Sequence, residues 1–239
     1  MVSNYTRSCC CGLWIVWDYI EMIEVYYANL NIFQDDTNFT RMYNEINAVR
    51  KRKIDKYTKY SDKKRALLAG ILLKYAIIEH GIDYDSCEFL IDESGYEHIL
   101  NKTDVFFSIS HAEDVSVCAF SDSLVGVDIE NKSRFKKVKQ ESLSKRIMTS
   151  DEYRKYNSID LEEKNVFMSR IWTRKEAFSK VCKKGLAMDF SKIDTLDEKR
   201  FRTFDVYNDY CISVASDDWI DDEKLERFDV TADLEAYNA

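Results

Sequence analysis

The clearest hydrophobic pattern in the chain is an alternation near its middle. Val125, Val127 and Ile129 take every second position, and Asp128 and Glu130 lie between and after them. A period of two predicts a β-strand with one apolar and one polar face. Two carboxylates on one strand face repel each other unless a cation lies between them, so this strand is a candidate cation site. A solvated polar face is the simpler alternative for an isolated Asp-x-Glu.

A second pattern, with helical spacing, lies in the C-terminal half. Residues 170–180 place Trp172, Glu176 and Lys180 four positions apart, on one face of a predicted helix. Glu176 becomes a third carboxylate if the end of this helix lies over the strand. Three oxygen donors with room for water commonly hold Mg2+ when a phosphate completes the shell. Lys175 and Lys180 would suit the phosphate oxygens, although a surface Lys–Glu pair is the simpler alternative.

Other periodicities predict strands and helices on both sides of these stretches. The predicted helices span residues 36–56 and 61–80, and Thr149 and Asp160 open two more through capping boxes. The predicted strands span residues 23–30, 87–91, 105–110 and 115–120, with a hairpin formed by 201–207 and 210–216. Residues 121–123 are the expected seam between two halves.

Composition indicates an ordinary globular protein. The chain has 239 residues, 45% hydrophobic and 33% charged, which allows one large or two small domains. Four of the 7 cysteines are isolated, without the spacing of a zinc site or disulfide framework. The apolar run of residues 9–17 is too short to span a membrane and makes a poor signal peptide. We therefore expect a cytoplasmic, reduced protein without membrane contact.

Charge is unevenly distributed. The net charge is -8, and residues 217–239 alone hold nine acidic and two basic residues. Residues 41–65 instead hold ten basic residues against three acidic ones. Such a block can bind nucleic acid or a polyphosphate ligand, or it can be a solvated helix face.

Taken together, the two central stretches resemble a known signature. Gly-Val-Asp-Ile-Glu at residues 126–130, followed by Trp-Thr-Arg-Lys-Glu-Ala at residues 172–177, closely resembles the motif pair of the 4′-phosphopantetheinyl transferases that activate peptide and polyketide synthetases. The resemblance runs from about Met22 to Ser216. It implies an α+β fold of two similar halves related by a pseudo-twofold axis, with the cofactor site between them. The implied segments are an N-terminal extension (1–21), an N-terminal half (22–122), a C-terminal half (123–216) and an acidic tail (217–239).

The resemblance also implies a reaction. The 4′-phosphopantetheine arm of coenzyme A would be transferred to a serine of an apo acyl or peptidyl carrier protein, and adenosine 3′,5′-bisphosphate would be released. Carrier proteins modified in this way serve natural product biosynthesis. Mg2+ would be held by Asp128, Glu130 and Glu176. Glu176, or a metal-bound water that it orients, would take the serine proton, and Lys180 would stabilise charge on the phosphates. The implied coenzyme A-binding residues are Arg50, Lys53, Arg65, Ser110, His111, Lys175 and Lys180.

The chain departs from this family pattern in two places. Gly95-Tyr96-Glu97 stands where the family often has Gly-Lys-Pro, so a phosphate-binding lysine is absent and Glu97 has the opposite charge. Lys102 is a candidate substitute. Ala112 stands where a second serine is common.

Two functions from other classes remain as alternatives. A metal-dependent nuclease would use Glu130-Asn131-Lys132 as an acid-x-lysine motif, with Asp114 as an upstream acid and the basic block on the phosphate backbone. The acidic total and the helical motif weigh against it, and we expect no nucleic-acid partner. The second alternative is a non-catalytic binder of carrier protein or coenzyme A, descended from a transferase. The missing lysine of the Gly-Lys-Pro motif would then reflect the loss of activity. All three carboxylates are retained, which favours an enzyme.

Two expectations concern regions outside the central motifs. The basic run Arg134, Lys136, Lys137 and Lys139 follows the carboxylate strand and is expected to face an acidic carrier protein. The acidic tail lies beyond the motifs, so truncation after Ser216 is expected to leave an active enzyme. A monomer is expected.

Overall fold

The computed structural model describes residues 22–33, 35–93, 95–136, 140–217 and 219–238, with backbone only at Leu186, Tyr237 and Asn238. The predicted extension of residues 1–21 lies outside the described residues. Within these ranges, no helix has both the length and the apolar character needed to cross a membrane.

In both halves of the chain, a run of helices lies between strands. The N-terminal half contains β1 (Ile23–Asn29), α1 (Asp36–Glu45), α2 (Ala48–Asp55), α3 (Tyr60–Glu79), β2 (Phe89–Ile91), β3 (Glu97–Ile99), β4 (Phe106–Ala112) and β5 (Val115–Ser121). The C-terminal half contains β6 (Val125–Asn131), α4 (Gln140–Ile147), α5 (Ser150–Ser158), α6 (Leu161–Val181), β7 (Phe201–Val206) and β8 (Tyr210–Ser216). Beyond them lie β9 (Leu225–Asp229) and α7 (Thr231–Asn238).

Capping residues explain where several helices begin. The single helix predicted over residues 36–56 is two helices, because Asn47 is extended and its side chain accepts a hydrogen bond from the Arg50 backbone N–H. The capping box at Thr149 and Glu152 is confirmed. At Asp160, by contrast, the described residues show no capping hydrogen bond from the side chain.

The strands form two main sheets, each covered by a long helix. One sheet has the order β4-β5-β1-β9 and the other has the order β6-β8-β7, while β2 and β3 form a separate ribbon. Helix α3 packs on β4 and β5, and α6 packs on β6 and β8. Helices and largely antiparallel sheets share one chain, so the predicted α+β class is confirmed. The pseudo-twofold relation stays a prediction.

The carboxylate strand β6 lies between a sheet and a helix. Val127 and Ile129 are buried in a core shared with Val25 and Val117 of the first sheet. The opposite face of β6 meets α6 so closely that a Cβ on Gly126 would lie 2.0 Å from the carbonyl oxygen of Ala177. Gly126 therefore allows α6 to approach the polar face of β6, which brings the second motif against the first.

The acidic tail is part of the N-terminal sheet. Strand β9 pairs in parallel with β1, with Ile23 opposite Leu225. Val230 and Leu234 are buried in the core beneath α3, and the Val230 N–H donates to the Tyr27 carbonyl at 3.1 Å. The expectation of a separate tail is therefore wrong, since residues after Ser216 complete the sheet edge and the core.

Candidate active site

The two main sheets meet through their edge strands, β4 and β6. Ser108 Oγ accepts a hydrogen bond from the Val127 N–H at 3.0 Å. Ser110 Oγ donates to Asp128 Oδ1 at 2.8 Å. Side chains of β4 thus hold β6 in place where the two sheets meet. The second of these bonds joins two residues that the sequence predicted for different roles.

Asp128 lies at this contact between the two sheets and is buried. Its Oδ1 atom also accepts from Lys180 Nζ at 2.9 Å, and the same ammonium donates to the Val127 carbonyl at 2.7 Å. Its Oδ2 atom is buried without a hydrogen-bond partner among the described residues. A buried carboxylate oxygen without a partner is costly, so this oxygen is available to a cation or a donor group.

Glu176 lies one helical turn before Lys180 on α6 and shares this environment. Burial raises the pKa of the Glu176 carboxyl, and the negative charge of Asp128 raises it further, whereas Lys180 and Arg134 lower it. The negative charge of Asp128 therefore opposes the ionisation of Glu176. A cation between them would relieve this opposition, which is the electrostatic condition of a metal site.

Glu130, the third predicted metal ligand, is engaged differently. It pairs with Arg134, four residues further along the chain, and the Arg134 guanidinium lies 5.0 Å from the centre of the Trp172 ring. Among the described residues, no three His, Cys, Asp or Glu side chains are arranged as a metal site. Asp128 and Glu176 fit a hard divalent cation with water or phosphate in its other positions. For Glu130, a metal would have to compete with Arg134 for the carboxylate.

A cleft of about 470 Å³ opens beside Glu176 and Lys180. Its walls come from β3, β4, the start of β6 and the end of α6. Lys102, the candidate substitute for the missing family lysine, lines this cleft. Sequence reasoning missed Tyr96 and Lys183, which also line it. Tyr96 could have been found, because it occupies the place where the chain departs from the family pattern.

A smaller recess of about 150 Å³ adjoins the cleft and shares Lys53 and Ile109 with it. Four residues predicted to bind the nucleotide end of coenzyme A line this recess, namely Arg50, Lys53, Ser110 and His111. They come from α2 and β4, which are distant in sequence.

The recess has a positive electrostatic environment. Burial lowers the pKa of the Lys53 ammonium, and the charges of Arg50 and Lys180 lower it further, whereas the charge of Glu97 raises it. Desolvation by surrounding protein atoms lowers the pKa of the His111 imidazole, and the charges of Arg65 and Lys180 lower it further. Arg65 itself is held by Asp62 and by the Glu113 carbonyl, at 2.9 Å from the latter. A bound anion would relieve the mutual repulsion of these cations.

The position of Lys175 contradicts the prediction that it binds a phosphate of coenzyme A. Its side chain is fully buried, and its ammonium lies 2.7 Å from Glu152 Oε2. It also donates to the carbonyls of Phe190 and Ile193 at 2.7 and 2.6 Å. Lys175 therefore holds α6 to α5 and to the following loop, away from the face that carries Glu176. It cannot bind phosphate in the cleft.

Lys175→Met should destabilise the protein rather than weaken coenzyme A binding. Removing one partner leaves the Glu152 charge buried, which costs about 3–5 kcal/mol in the free energy of unfolding. Urea denaturation of this variant, beside Lys184→Met as an exposed-lysine control, measures the effect. An unchanged urea midpoint with weaker coenzyme A binding would return Lys175 to the ligand site.

The nuclease motif is not assembled as that alternative requires. Lys132 Nζ lies 3.1 Å from Asp205 Oδ2 and donates to the Asn208 carbonyl at 2.6 Å. It therefore points to the β7–β8 hairpin and away from the Asp128–Glu176 pair. The Glu130-Asn131-Lys132 motif therefore receives no support from this geometry.

The expected carrier-protein face is described only in part. Arg134 and Lys136 are exposed, next to the end of β6 and the Glu130 carboxylate. Lys137 and Lys139, the other two basic residues of this run, lie outside the described residues.

Comparisons with known proteins agree with the resemblance. Residues 124–228 match the 4′-phosphopantetheinyl transferase superfamily. The chain is 28% identical over 149 residues to the 4′-phosphopantetheinyl transferase Sfp of Bacillus subtilis, covering 62% of this chain and 65% of that protein. It is 30% identical over 127 residues to the 4′-phosphopantetheinyl transferase HetI of a Nostoc strain, covering 52% and 51%. These matches confirm the resemblance, although they span less than two thirds of either relative.

Proposed function

We propose that this protein, which matches the 4′-phosphopantetheinyl transferase superfamily over residues 124–228, transfers the phosphopantetheine arm of coenzyme A to a serine of an apo acyl or peptidyl carrier protein, with Mg2+ as cofactor. We expect it to act as a monomer in the cytoplasm. The observation that carries the proposal is the pairing of Asp128 with Glu176 and Lys180 beside the cleft. Lys180 is close enough to influence Lys53 and His111 of the recess. Glu176 is close enough to be influenced by Arg134, which follows β6.

The metal would be held by Asp128 and Glu176, with Glu130 joining when Arg134 releases it. The partnerless Asp128 Oδ2 and the raised pKa of Glu176 support this assignment. Mg2+, when bound, supplies positive charge near the pyrophosphate oxygens and lowers the pKa of water.

The chain's own residues would perform the proton transfer and stabilise charge. Glu176 takes the proton of the carrier serine, whose oxygen then attacks the β-phosphorus of coenzyme A. The new bond joins that phosphorus to the serine oxygen. The bond to the bridging oxygen breaks, and adenosine 3′,5′-bisphosphate leaves with that oxygen. Lys180, fixed by Asp128 and the Val127 carbonyl, stabilises negative charge on the phosphate oxygens.

The nucleotide end of coenzyme A would occupy the recess. Lys53, Ser110 and His111 line it, and Arg65 adds positive charge beside His111. The shared wall of the recess and the cleft then lets one ligand place its adenosine phosphates in the recess and its pyrophosphate beside Lys180.

Two measurements on the same protein separate an enzyme from a non-catalytic binder. Calorimetry reports coenzyme A binding, and intact-mass analysis of apo-carrier proteins after incubation with coenzyme A and Mg2+ reports transfer. We expect both binding and a mass increase on the carrier. Binding without any mass increase across several carriers would support the non-catalytic alternative instead.

Charge reversal on the proposed carrier face should weaken carrier binding. Lys136→Glu, alone or with Lys137→Glu, should raise the KM for carrier protein and leave the KM for coenzyme A unchanged, because carrier domains are acidic. Added salt should shrink the effect, since exposed charges are screened over about 8 Å at physiological ionic strength.

Lys199→Glu is the matched control for this experiment. It makes the same charge change at an exposed position before β7, at the opposite edge of the sheet from β6. A KM change for coenzyme A in Lys136→Glu, with carrier KM unaltered, would mean that the two faces are assigned the wrong way round.

A further inference from the structure

An unusual ion pair lies in the wall between the recess and the cleft. Arg50 lines the recess and Glu97 lines the cleft. Arg50 Nη2 lies 3.0 Å from Glu97 Oε2, and the two side chains are only 2% and 3% exposed. Within the described residues, Arg50 Nε and Nη2 have no hydrogen-bond partner. The same is true of both carboxylate oxygens of Glu97. The charges of Arg50 and Glu97 therefore balance each other within this wall, while polar atoms of both side chains are left without hydrogen bonds.

The position of Arg50 is fixed from the other side by α3. A Cβ on Gly70 would lie 3.0 Å from Arg50 Cγ, so the absence of a side chain there makes room for the arginine stem. The guanidinium is thus held beside Glu97 rather than free to swing into solvent. Glu97 is the residue that has the wrong charge for the family pattern, and its partner is now identified.

The pair changes the charge that a ligand phosphate meets. A phosphate in the recess must compete with Glu97 for Arg50, and the Glu97 carboxylate itself repels the phosphate at this range. Lys53, whose ammonium is partly buried beside both groups, and His111 remain to meet the anion. A recess with a neutralised arginine distinguishes less strongly between ligands that carry a phosphate there and ligands that lack it.

We propose that Glu97 is a specificity-determining residue that neutralises Arg50 and so relaxes the requirement for the 3′-phosphate of the donor nucleotide. The inference rests on the proposed function only in taking the nucleotide end of coenzyme A as the occupant of the recess. Its consequence is a protein that tolerates donors without the 3′-phosphate, such as 3′-dephospho-coenzyme A, better than the same protein with Glu97 removed.

The test compares calorimetric dissociation constants for adenosine 3′,5′-bisphosphate and adenosine 5′-phosphate. Glu97→Gln should increase the preference for the bisphosphate by about tenfold or more, because one charge-assisted contact to Arg50 is released for the ligand. Glu88→Gln, an exposed carboxylate on the chain just before β2, should leave the preference unchanged. An unchanged or lowered preference in Glu97→Gln would overturn the proposal.

A double variant keeps the test decisive if Glu97→Gln fails to fold. Arg50→Met with Glu97→Met removes both charges, and a buried ion pair is commonly replaced by apolar residues without loss of stability. The bisphosphate preference should stay within about threefold of the unaltered protein, because the pair adds little net charge to the recess. A tenfold loss would show that Arg50 binds the phosphate in the native protein, contrary to the proposal.

These binding measurements do not depend on transfer. The expected preferences without any modification of carrier protein would retain this inference and reject the proposed reaction. Transfer with an unchanged preference in Glu97→Gln would reject the inference alone. Failure of the unaltered protein to bind either nucleotide would overturn the recess as a nucleotide site.

Discussion

Glu176→Gln and Asp128→Asn should each lower kcat/KM for phosphopantetheine transfer by at least about 10³-fold, or about 4 kcal/mol of transition-state stabilisation. Each substitution removes one charge from the carboxylate pair that would hold Mg2+, and the first also removes the proposed base. Steady-state transfer assays over a range of Mg2+ concentrations measure the effect. Glu162→Gln, an exposed carboxylate in the first turn of α6, is the control.

The two variants should differ in stability. The pKa of Glu176 is raised in the folded state, so its ionised form costs stability at neutral pH, and Glu176→Gln should hold or raise the melting temperature. That gain should shrink as the pH falls toward the pKa of a free carboxyl group. Asp128→Asn should lower stability, because Lys180 loses an anionic partner at 2.9 Å. Near-normal turnover of either variant at millimolar Mg2+ would contradict the metal assignment.

Truncation after Ser216 should abolish soluble expression or leave a protein without cooperative unfolding. The deletion removes β9 from the edge beside β1 and uncovers the core that Val230 and Leu234 fill. Losing a strand and two buried apolar side chains costs several times the ~2–5 kcal/mol of a single large-to-small core substitution. Near-ultraviolet circular dichroism and urea denaturation measure the outcome.

Two milder variants show whether packing or charge causes the effect. Leu234→Ala should lower the free energy of unfolding by about 2–5 kcal/mol, since its side chain is buried. Glu226→Gln changes the tail's charge on an exposed residue of β9 and should stay within about 0.5 kcal/mol. An active, cooperatively folded truncated protein would show that the tail is dispensable after all.

The site could be predicted where local periodicity determines the geometry. The alternation of Val127, Asp128 and Ile129 fixes which side chains share a strand face. The four-residue spacing of Glu176 and Lys180 fixes which side chains share a helix face. Both inferences need no knowledge of the rest of the chain, and both agree with the contacts of Asp128 and Lys180.

The features that sequence reasoning missed depend on contacts between distant segments. Strand β9 pairs with β1, which lies near the opposite end of the described chain. The acidic sequence around β9 gives no sign of that pairing. Lys175 is adjacent to Glu176 but about 100° round the helix, and only Glu152 reveals that its face is buried. The partner of Glu97 likewise comes from α2, far from it in sequence.

Quantifying both products of one incubation tests the assignment of this cleft as a transferase site most directly. The protein is mixed with coenzyme A, Mg2+ and an apo-carrier protein, beside a carrier in which the acceptor serine is alanine. We expect phosphopantetheine on the serine of the first carrier only, with an equal amount of adenosine 3′,5′-bisphosphate released. Bound coenzyme A with neither product formed, across several carriers, would contradict the assignment.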